Sequence, residues 1–234
     1  ITAVPGQSVF TRPRPLPPVP EHKVAQIVRY EIQQQIPFSL DQIALDYQVL
    51  SKDPDAGGYF VLMAAIKVDI VENFLKILGK GLKAEVVDVG PIATYNWLRT
   101  AGQMGGQGEC VALVDIGAAT TDIVIETDGQ YRWNRPLSVG GNDVTQAISQ
   151  EYGMSFQEAE GLKRQRAFAP TGDAERDGKA GEVVGRALQR LVSEITRSLS
   201  YYRSQPGGSQ VQRIVLCGGG ACLKNIVPYL QREL

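Results

Sequence analysis

Histidine is nearly absent from this chain. His22 is the only one in 234 residues, and it stands between Glu21 and Lys23 at what reads as a helix start. A solvated position follows, and no histidine-based catalytic triad can be assembled. Cysteine is scarce and odd in number, at Cys110, Cys217 and Cys222, without metal-type spacing; reduced, half-buried thiols set in strands are expected. An excess of one charge is missing too. The 24 basic and 25 acidic residues are interspersed and leave a formal net charge of −1, so neither a nucleic-acid surface nor a polybasic membrane patch is expected. No apolar run reaches the roughly 18 residues that span a bilayer, and the N-terminus has no charged region followed by an apolar signal core. The chain is therefore expected to be cytoplasmic, without direct membrane insertion. What it does have, 43% hydrophobic residues over this length, suits one large or two modest cores.

Strands and helices alternate along the chain, which favours an α/β architecture. Ile1 to Phe10 reads as a strand with a turn at Pro5-Gly6. The prolines from Pro13 to Pro20 predict an extended connector, a rigid linker or a polyproline ligand. Val24, Ile27, Val28 and Ile32 predict an amphipathic helix over 21–35, stopped by Pro37. Residues 44–50 alternate as a half-exposed strand does, whereas 59–66 are continuously apolar and should be covered on both faces; a loop of Asp53 to Gly58 joins the two. Val71, Phe74, Leu75 and Leu78 give a second helix that Gly79 and Gly81 end. A strand over 84–89, a helix over 92–99 led by Pro91, and a glycine-rich connector over 101–108 follow, and the connector is the expected domain boundary.

The most informative stretch comes next. Val111, Leu113 and Ile116 bring an apolar strand into the small-residue turn Gly117-Ala118-Ala119, and the chain leaves through Thr120, Thr121 and Asp122. Such a turn opens backbone amides to an anion. Thr120 and Thr121 add hydroxyls, and Asp115 with Asp122 suits a hydrated Mg²⁺. The alternative is an ordinary hairpin with a glycine turn. Beyond it, Asp128-Gly129 predicts a hairpin and 131–137 a strand. A helix opens after Gly140-Gly141 with Asn142 or Asp143 as its cap. The Ser155 and Glu158 spacing predicts a capping box for a helix from Phe156, carrying Glu160 and Lys163 on neighbouring turns. Residues 168–181 read as a mobile loop. A long helix through Arg203 has Val184, Leu188, Leu191, Ile195, Leu199 and Tyr202 as its core stripe. Last, a strand over 214–217 runs into Gly218-Gly219-Gly220, where only glycines let a flat ring lie against the backbone.

Asp115-x-Gly117-x-x-Thr120-Thr121-Asp122, then Gly140-Gly141, then Ala159-Glu160-x-x-Lys163, then Gly218-Gly219-Gly220: in this order the features resemble the second half of the actin-like ATPase superfamily. Residues 28–41, 46–50, 152–160 and 193–202 look like signatures of the type IV pilus assembly protein PilM family, with the cell-division protein FtsA and the secretion protein GspL more distant. The likeness covers almost the whole chain. It implies a partial actin-like (ribonuclease-H-like) α/β fold: the last strand of a first lobe at 1–11, a small inserted α/β module at 12–82, a return to the first lobe with a connector at 83–109, and a second lobe at 110–234. It also implies ATP and Mg²⁺ as cofactors. Asp115 faces the metal through water, Gly117, Ala118, Ala119, Thr120 and Thr121 form the second phosphate loop, and Gly140 and Gly141 precede the helix beside the nucleotide. Glu160 and Lys163 reach the ribose and base, unless they are merely a solvated helix face. Gly218, Gly219 and Gly220 form the adenosine motif.

Two departures bear on the chemistry. The first phosphate loop of the superfamily should lie before Ile1, so the chain is expected to be part of a longer protein, with nucleotide bound in the intact protein and weakly if at all by this piece. The acidic residue that orients the attacking water is replaced by Gly90, with Asp88 two residues away, so hydrolysis is expected to be slow or absent and no catalytic residue is assigned. The resemblance implies a cytoplasmic scaffold, peripheral to the inner membrane, that docks a short N-terminal cytoplasmic peptide of a PilN-like membrane protein beside the small module. Arg29, Tyr30, Gln33, Ile36 and Phe38 are the candidate contacts, the alternative for Ile36 and Phe38 being core. Self-association is open. The rival readings are a sugar kinase of the same superfamily, for which no sugar pocket is evident, and an FtsA-like filament-forming membrane adaptor.

Overall fold

The computed structural model describes residues 1–52, 58–79 and 81–234, so most of the loop expected at Asp53 to Gly58 lies outside the described residues. By contacts the chain divides into two compact units, 1–103 with 129–134, and 104–128 with 135–234.

In the first unit, Thr2–Val4 (β1) and Phe10–Leu16 (β2) are separated by one turn of 3-10 helix at Gly6–Ser8, and helix Glu21–Gln35 (α1) follows. The expected proline connector begins as a strand: residues 13–16 belong to β2, and only 17–20 link it to α1. β2 is an edge of the three-stranded sheet that it forms with Ile43–Lys52 (β3) and Tyr59–Lys67 (β4), in the order β2-β4-β3. Pro13 and Pro15 stand opposite Leu62 and Phe60. Two residues apart on an edge, both face their missing amides away from the ladder, which is where a strand tolerates proline. Val24, Val28 and Ile32 are fully buried against Tyr59, Val61, Met63 and Ala65 of β4, each side chain contributing about 1.5–3 kcal/mol of transfer free energy. Arg12 donates to Gln35 Oε1 at 2.8 Å and Arg14 pairs with Glu31 at 3.3 Å, tying β2 to the helix. α1 stops because Ile36, ahead of Pro37, is extended (φ −115°, ψ 132°).

Helix Val68–Ile77 (α2) buries none of its residues, and Gly79, at φ 68°, supplies the left-handed residue past its end. The strand expected over 84–89 is reduced to Val87–Val89 (β5), parallel to β1. Helix Gly90–Thr100 (α3) carries Pro91 in its first turn, and Tyr95 meets Tyr131 edge to face at 5.3 Å.

The second unit is built on Cys110–Ile116 (β6), Thr121–Thr127 (β7), Arg213–Cys217 (β9) and the last three residues of Gln130–Leu137 (β8), whose earlier residues count with the first unit; the strand order is β8-β7-β6-β9. β6 is antiparallel to β7 and parallel to β9; it is buried throughout except for half-buried Asp115. Helices Gly141–Tyr152 (α4), Phe156–Arg166 (α5), Ala174–Ser204 (α6) and Ile226–Glu233 (α7) complete it. The core stripe of α6 includes Val184, Leu188, Leu191, Ile195 and Tyr202, all buried. The stretch expected to be a mobile loop is pinned. Phe168 forms a bridge with Lys224, Ala169 is buried, and the Asp177 carboxylate accepts from the Thr171 amide, the Thr171 hydroxyl and the Gly172 amide at 2.7–3.0 Å. α6 already begins at Ala174, with a break at Gly178 (φ 52°).

Candidate functional site

The β6–β7 connection is a hairpin whose Gly117 amide donates to the Thr120 carbonyl at 2.8 Å. Ala118 and Ala119 are exposed at its tip, and the amides of Ala118, Ala119 and Thr120 take no partner within the turn. Its carbonyls are engaged: the Gly141 amide donates to Gly117 O at 2.9 Å and the Asn142 amide to Ala118 O at 2.7 Å. The turn therefore sits on the start of α4. Gly140 is extended there, and a Cβ on it would stand 2.7 Å from the Ala118 oxygen and 2.8 Å from the Gly117 oxygen. Close approach, not backbone freedom, demands glycine. The expected cap is corrected accordingly. Gly140 is the cap residue, and Asp143 reaches back to accept its amide at 2.8 Å. Thr121 is fully buried with its hydroxyl donating to Val139 O at 2.8 Å, so it fastens β7 rather than facing a ligand.

The opposite wall comes from α5 and the segment after β9. Ser155 and Glu158 form the expected capping box. Lys163 Nζ lies 2.6 Å from Glu160 and donates to Thr145 Oγ1 at 2.8 Å and Gly141 O at 3.0 Å. Glu160 also accepts from Thr145 and from Arg164 Nε, the latter at 2.9 Å. Hydrogen bonds from Lys163, then Thr145, hold its carboxyl at about 2. Past β9, Gly218 (φ 82°) and Gly220 abut Ile116, where no Cβ fits, while Gly219 opens on free space. Between these walls lies a cavity of about 880 Å³, within the size range of cofactor sites. It brings together Gly117, Ala118, Gly140, Gly141, Glu160, Lys163, Gly219 and Gly220. Asp115, Ala119, Thr120, Thr121 and Gly218 are not on its lining. Asn142, Arg164, Arg166, Cys222 and Lys224 are, and sequence reasoning missed them. Arg164 and Arg166 were accessible from their placement one and three residues after Lys163; nothing in the pattern marked Lys224.

Behind the turn, Asp115 stands in register between Asp122 on β7 and Cys217 on β9. Burial, then the Asp115 charge, pushes the Asp122 carboxyl up to about 6. Burial, then Asp115, pushes the Cys217 thiol up to about 12. Asp122 Oδ1 is buried without a hydrogen-bond partner. Two facing carboxylates with an unsatisfied oxygen fit one side of a hydrated divalent cation. No group of three or more metal-type ligands occurs among the described residues, so such an ion would take its remaining ligands from water and phosphate.

The candidate partner residues divide. Arg29, Tyr30 and Gln33 are exposed on α1. Ile36 and Phe38 pack against the core of the small sheet, and Lys67 Nζ lies 4.0 Å over the Phe38 ring. On the side of α3, a second cavity of about 410 Å³ is lined by Gln48, Val49 and Leu50 of β3, Leu62 of β4, Tyr95, Asn96 and Arg99 of α3, and Tyr131. No pattern in the sequence marks it, because it depends on how distant segments meet.

Known proteins share this architecture. The chain aligns over 99% of its length with 66% of a chain in the PilM-PilN type IV pilus biogenesis complex, at 26% identity and a TM-score of 0.82. MreB5 of Spiroplasma citri bound to AMPPNP shares the fold, at 21% identity over 70% of this chain and 57% of that one, TM-score 0.53. Cell division protein FtsA of Escherichia coli K12 is 26% identical over 242 residues, 91% of this chain and 54% of its own length; that of Bacillus subtilis is 28% identical over 145 residues, 53% of this chain and 32% of its own. The chain thus spans about half the length of the first of these relatives. Among the described residues no helix is long and apolar enough to cross a membrane. The fold is actin-like, and the family described as type IV pilus assembly protein PilM matches residues 1–234, the entire sequence: this chain belongs to that family.

Proposed function

We propose that this chain belongs to an actin-like scaffold of type IV pilus machinery that holds a magnesium nucleotide in the larger cavity and docks a peptide of a PilN-like inner-membrane protein. The observation that carries the nucleotide reading is the hairpin turn, which brings Gly117 and Ala118, the latter with its amide unpaired within the turn, to a cavity rimmed by Lys163, Arg164, Arg166 and Lys224. Amides and cations there suit phosphate oxygens. Asp115 with Asp122 would hold the metal, which supplies charge neutralisation of the phosphates. Gly219 leaves room for a flat ring, and Glu160 with Lys163 would exchange part of their mutual pairing for ribose and base. In the sequence pattern of the superfamily Gly90 takes the place of the acid that orients the attacking water, which favours binding with slow hydrolysis or none. Titrating the intact protein with Mg-ATP tests this. Micromolar binding that Lys163→Glu weakens at least tenfold is expected; no binding at millimolar Mg-ATP would refute it.

For the partner, the groove on β3 is the better candidate than the outer face of α1. β3 is a sheet edge, and three successive residues of it, Gln48, Val49 and Leu50, line the groove. An extended peptide can add to such an edge while apolar side chains enter the groove. The likeness to a chain of the PilM-PilN type IV pilus biogenesis complex supports a PilN-like occupant. Peripheral attachment to the inner membrane through the partner follows from this reading.

A further inference from the structure

We infer that Arg190 of α6 is a positioning residue for the phosphate-binding turn, acting through Asp143 and Gly140 from outside the nucleotide cavity. The inference rests on the nucleotide reading above. The Arg190 guanidinium spans two points of the segment that leads into α4. Its Nη1 lies 3.1 Å from Asp143 Oδ1, and its Nη2 donates to the Ser138 carbonyl at 3.1 Å. The other oxygen of the same carboxylate, Asp143 Oδ2, accepts the Gly140 amide at 2.8 Å. Gly140 in turn lies flush against the carbonyls of Gly117 and Ala118, and the next two amides, of Gly141 and Asn142, donate to those same carbonyls. Three consecutive links thus run from a guanidinium on α6 to the two residues that begin the phosphate turn.

Arg190 does not line the nucleotide cavity. It faces a separate cleft of about 250 Å³ together with Arg135 and Glu194. Those two are occupied with each other at 3.6 Å, and Glu194 also pairs with Arg197 at 2.8 Å. Asp143 is therefore the acidic partner to which Arg190 is committed. On the cavity side the same helix start is held by Lys163, through the Gly141 carbonyl and Thr145. Lys163 is exposed to the ligand and would reorganise when phosphate and ribose arrive, whereas Arg190 is not. It is suited to keep the Gly140 amide and the turn in one place whether or not nucleotide is bound. A half-exposed ion pair adds little to global stability, but a displacement of the turn by a fraction of an ångström spoils several charge-assisted hydrogen bonds at once. Arg190 should therefore affect ligand affinity far more than folding.

The test uses the intact protein and Mg-ATP. Arg190→Ala is expected to weaken Mg-ATP binding about tenfold, to leave the nucleotide-free Tm within about a degree, and to speed hydrogen exchange of the Gly140 to Asn142 amides. Arg190→Lys should recover only part of the affinity, because a single ammonium does not bridge Asp143 and Ser138 as a fork does. Asp143→Asn should weaken binding to a similar degree, and adding Arg190→Ala to it should cost nothing more, as expected of residues in one chain of contacts. Wild-type affinity in Arg190→Ala, or losses that simply add in the double variant, would overturn the inference while leaving the nucleotide reading intact. If the unsubstituted protein itself binds no Mg-ATP, the nucleotide reading fails and takes the inference with it.

Discussion

Gly140 and Gly161 are indistinguishable as letters, yet their surroundings set opposite outcomes for the same substitution. A Cβ on Gly140 would collide with two backbone oxygens, at 2.7 and 2.8 Å, that belong to the Gly117–Thr120 turn; one on Gly161, inside α5, would meet nothing within 4 Å. Gly140→Ala should destabilise by about 1–3 kcal/mol, and Gly161→Ala should stabilise by about 0.5–1 kcal/mol; thermal unfolding of the two variants at neutral pH reads both signs. Two carboxylates likewise separate by environment. Asp122 has a folded-state pKa of about 6 against 3.8, so the native state keeps its proton longer than the unfolded chain does, and stability falls as pH rises from 3.8 through 6. Asp122→Asn should therefore melt higher than the parent above about pH 6, the gap closing by about pH 4. Glu160 carries the reverse sign, with a pKa of about 2 against 4.5: its contribution is present above 4.5 and lost as pH falls towards 2. Glu160→Gln should melt lower at about pH 7 and converge on the parent in acid, and parallel melting curves across this range would discard the assignment. The sequence suggests both pairings, Asp122 with Asp115 and Glu160 with Lys163, but not the burial of the first or the hydrogen bonds from Lys163 and Thr145 to the second, which set the two signs.

At the scale of the element, periodicity is a sound guide and composition a poor one. The stripe Val24, Val28, Ile32 places α1 correctly because side-chain spacing alone decides which face is buried. The core stripe of α6 is readable for the same reason. Prolines in β2 point to a connector because the rule against proline in strands holds for both faces of a ladder only in the sheet interior; at an edge, every second amide is idle, and Pro13 and Pro15 occupy those places. The polar run before α6 reads as mobile because its order comes from one side chain, Asp177, folding back on Thr171 and Gly172, a contact that no window average contains. The start of α4 is displaced in the sequence reading for a similar reason: the cap is a glycine whose partner sits three residues later. The legible stripe carries the testable energy. Ile195 is fully buried in α6, so Ile195→Ala should cost about 2–5 kcal/mol. Exposed Arg197 on the same helix should cost no more than about 0.5 kcal/mol as alanine. Chemical denaturation midpoints with unchanged slopes would establish both; equal losses would mean that α6 is not packed as described.

At the scale of the whole molecule, two concavities each fall within one of its compact units: the cavity beside the β6–β7 turn among 104–128 and 135–234, the groove on β3 among 1–103 and 129–134. The ordered glycines of the first are legible because close backbone approaches, as at Gly140 and Gly220, admit no other residue type. The second is not, since a peptide groove asks only for an apolar floor and a free strand edge, which any sheet provides. Of the contacts suggested by the sequence, Ile36 and Phe38 serve the core, while Arg29, Tyr30 and Gln33 stay exposed on α1. Groove and helix face can be told apart directly. Val49 lies in the groove and is 42% exposed, and Tyr30 on α1 is 61% exposed, so neither substitution should disturb folding by more than about 0.5 kcal/mol. Fluorescence titration of the intact protein with a short peptide of basic and apolar residues from the proposed PilN-like partner should show Val49→Asp weakening binding at least tenfold, because a charge would be desolvated in the groove. Tyr30→Ala should bind as the parent does. The reverse pattern would move the docking site to α1, and a peptide that binds neither parent nor variants would remove the pilus-docking role from this chain.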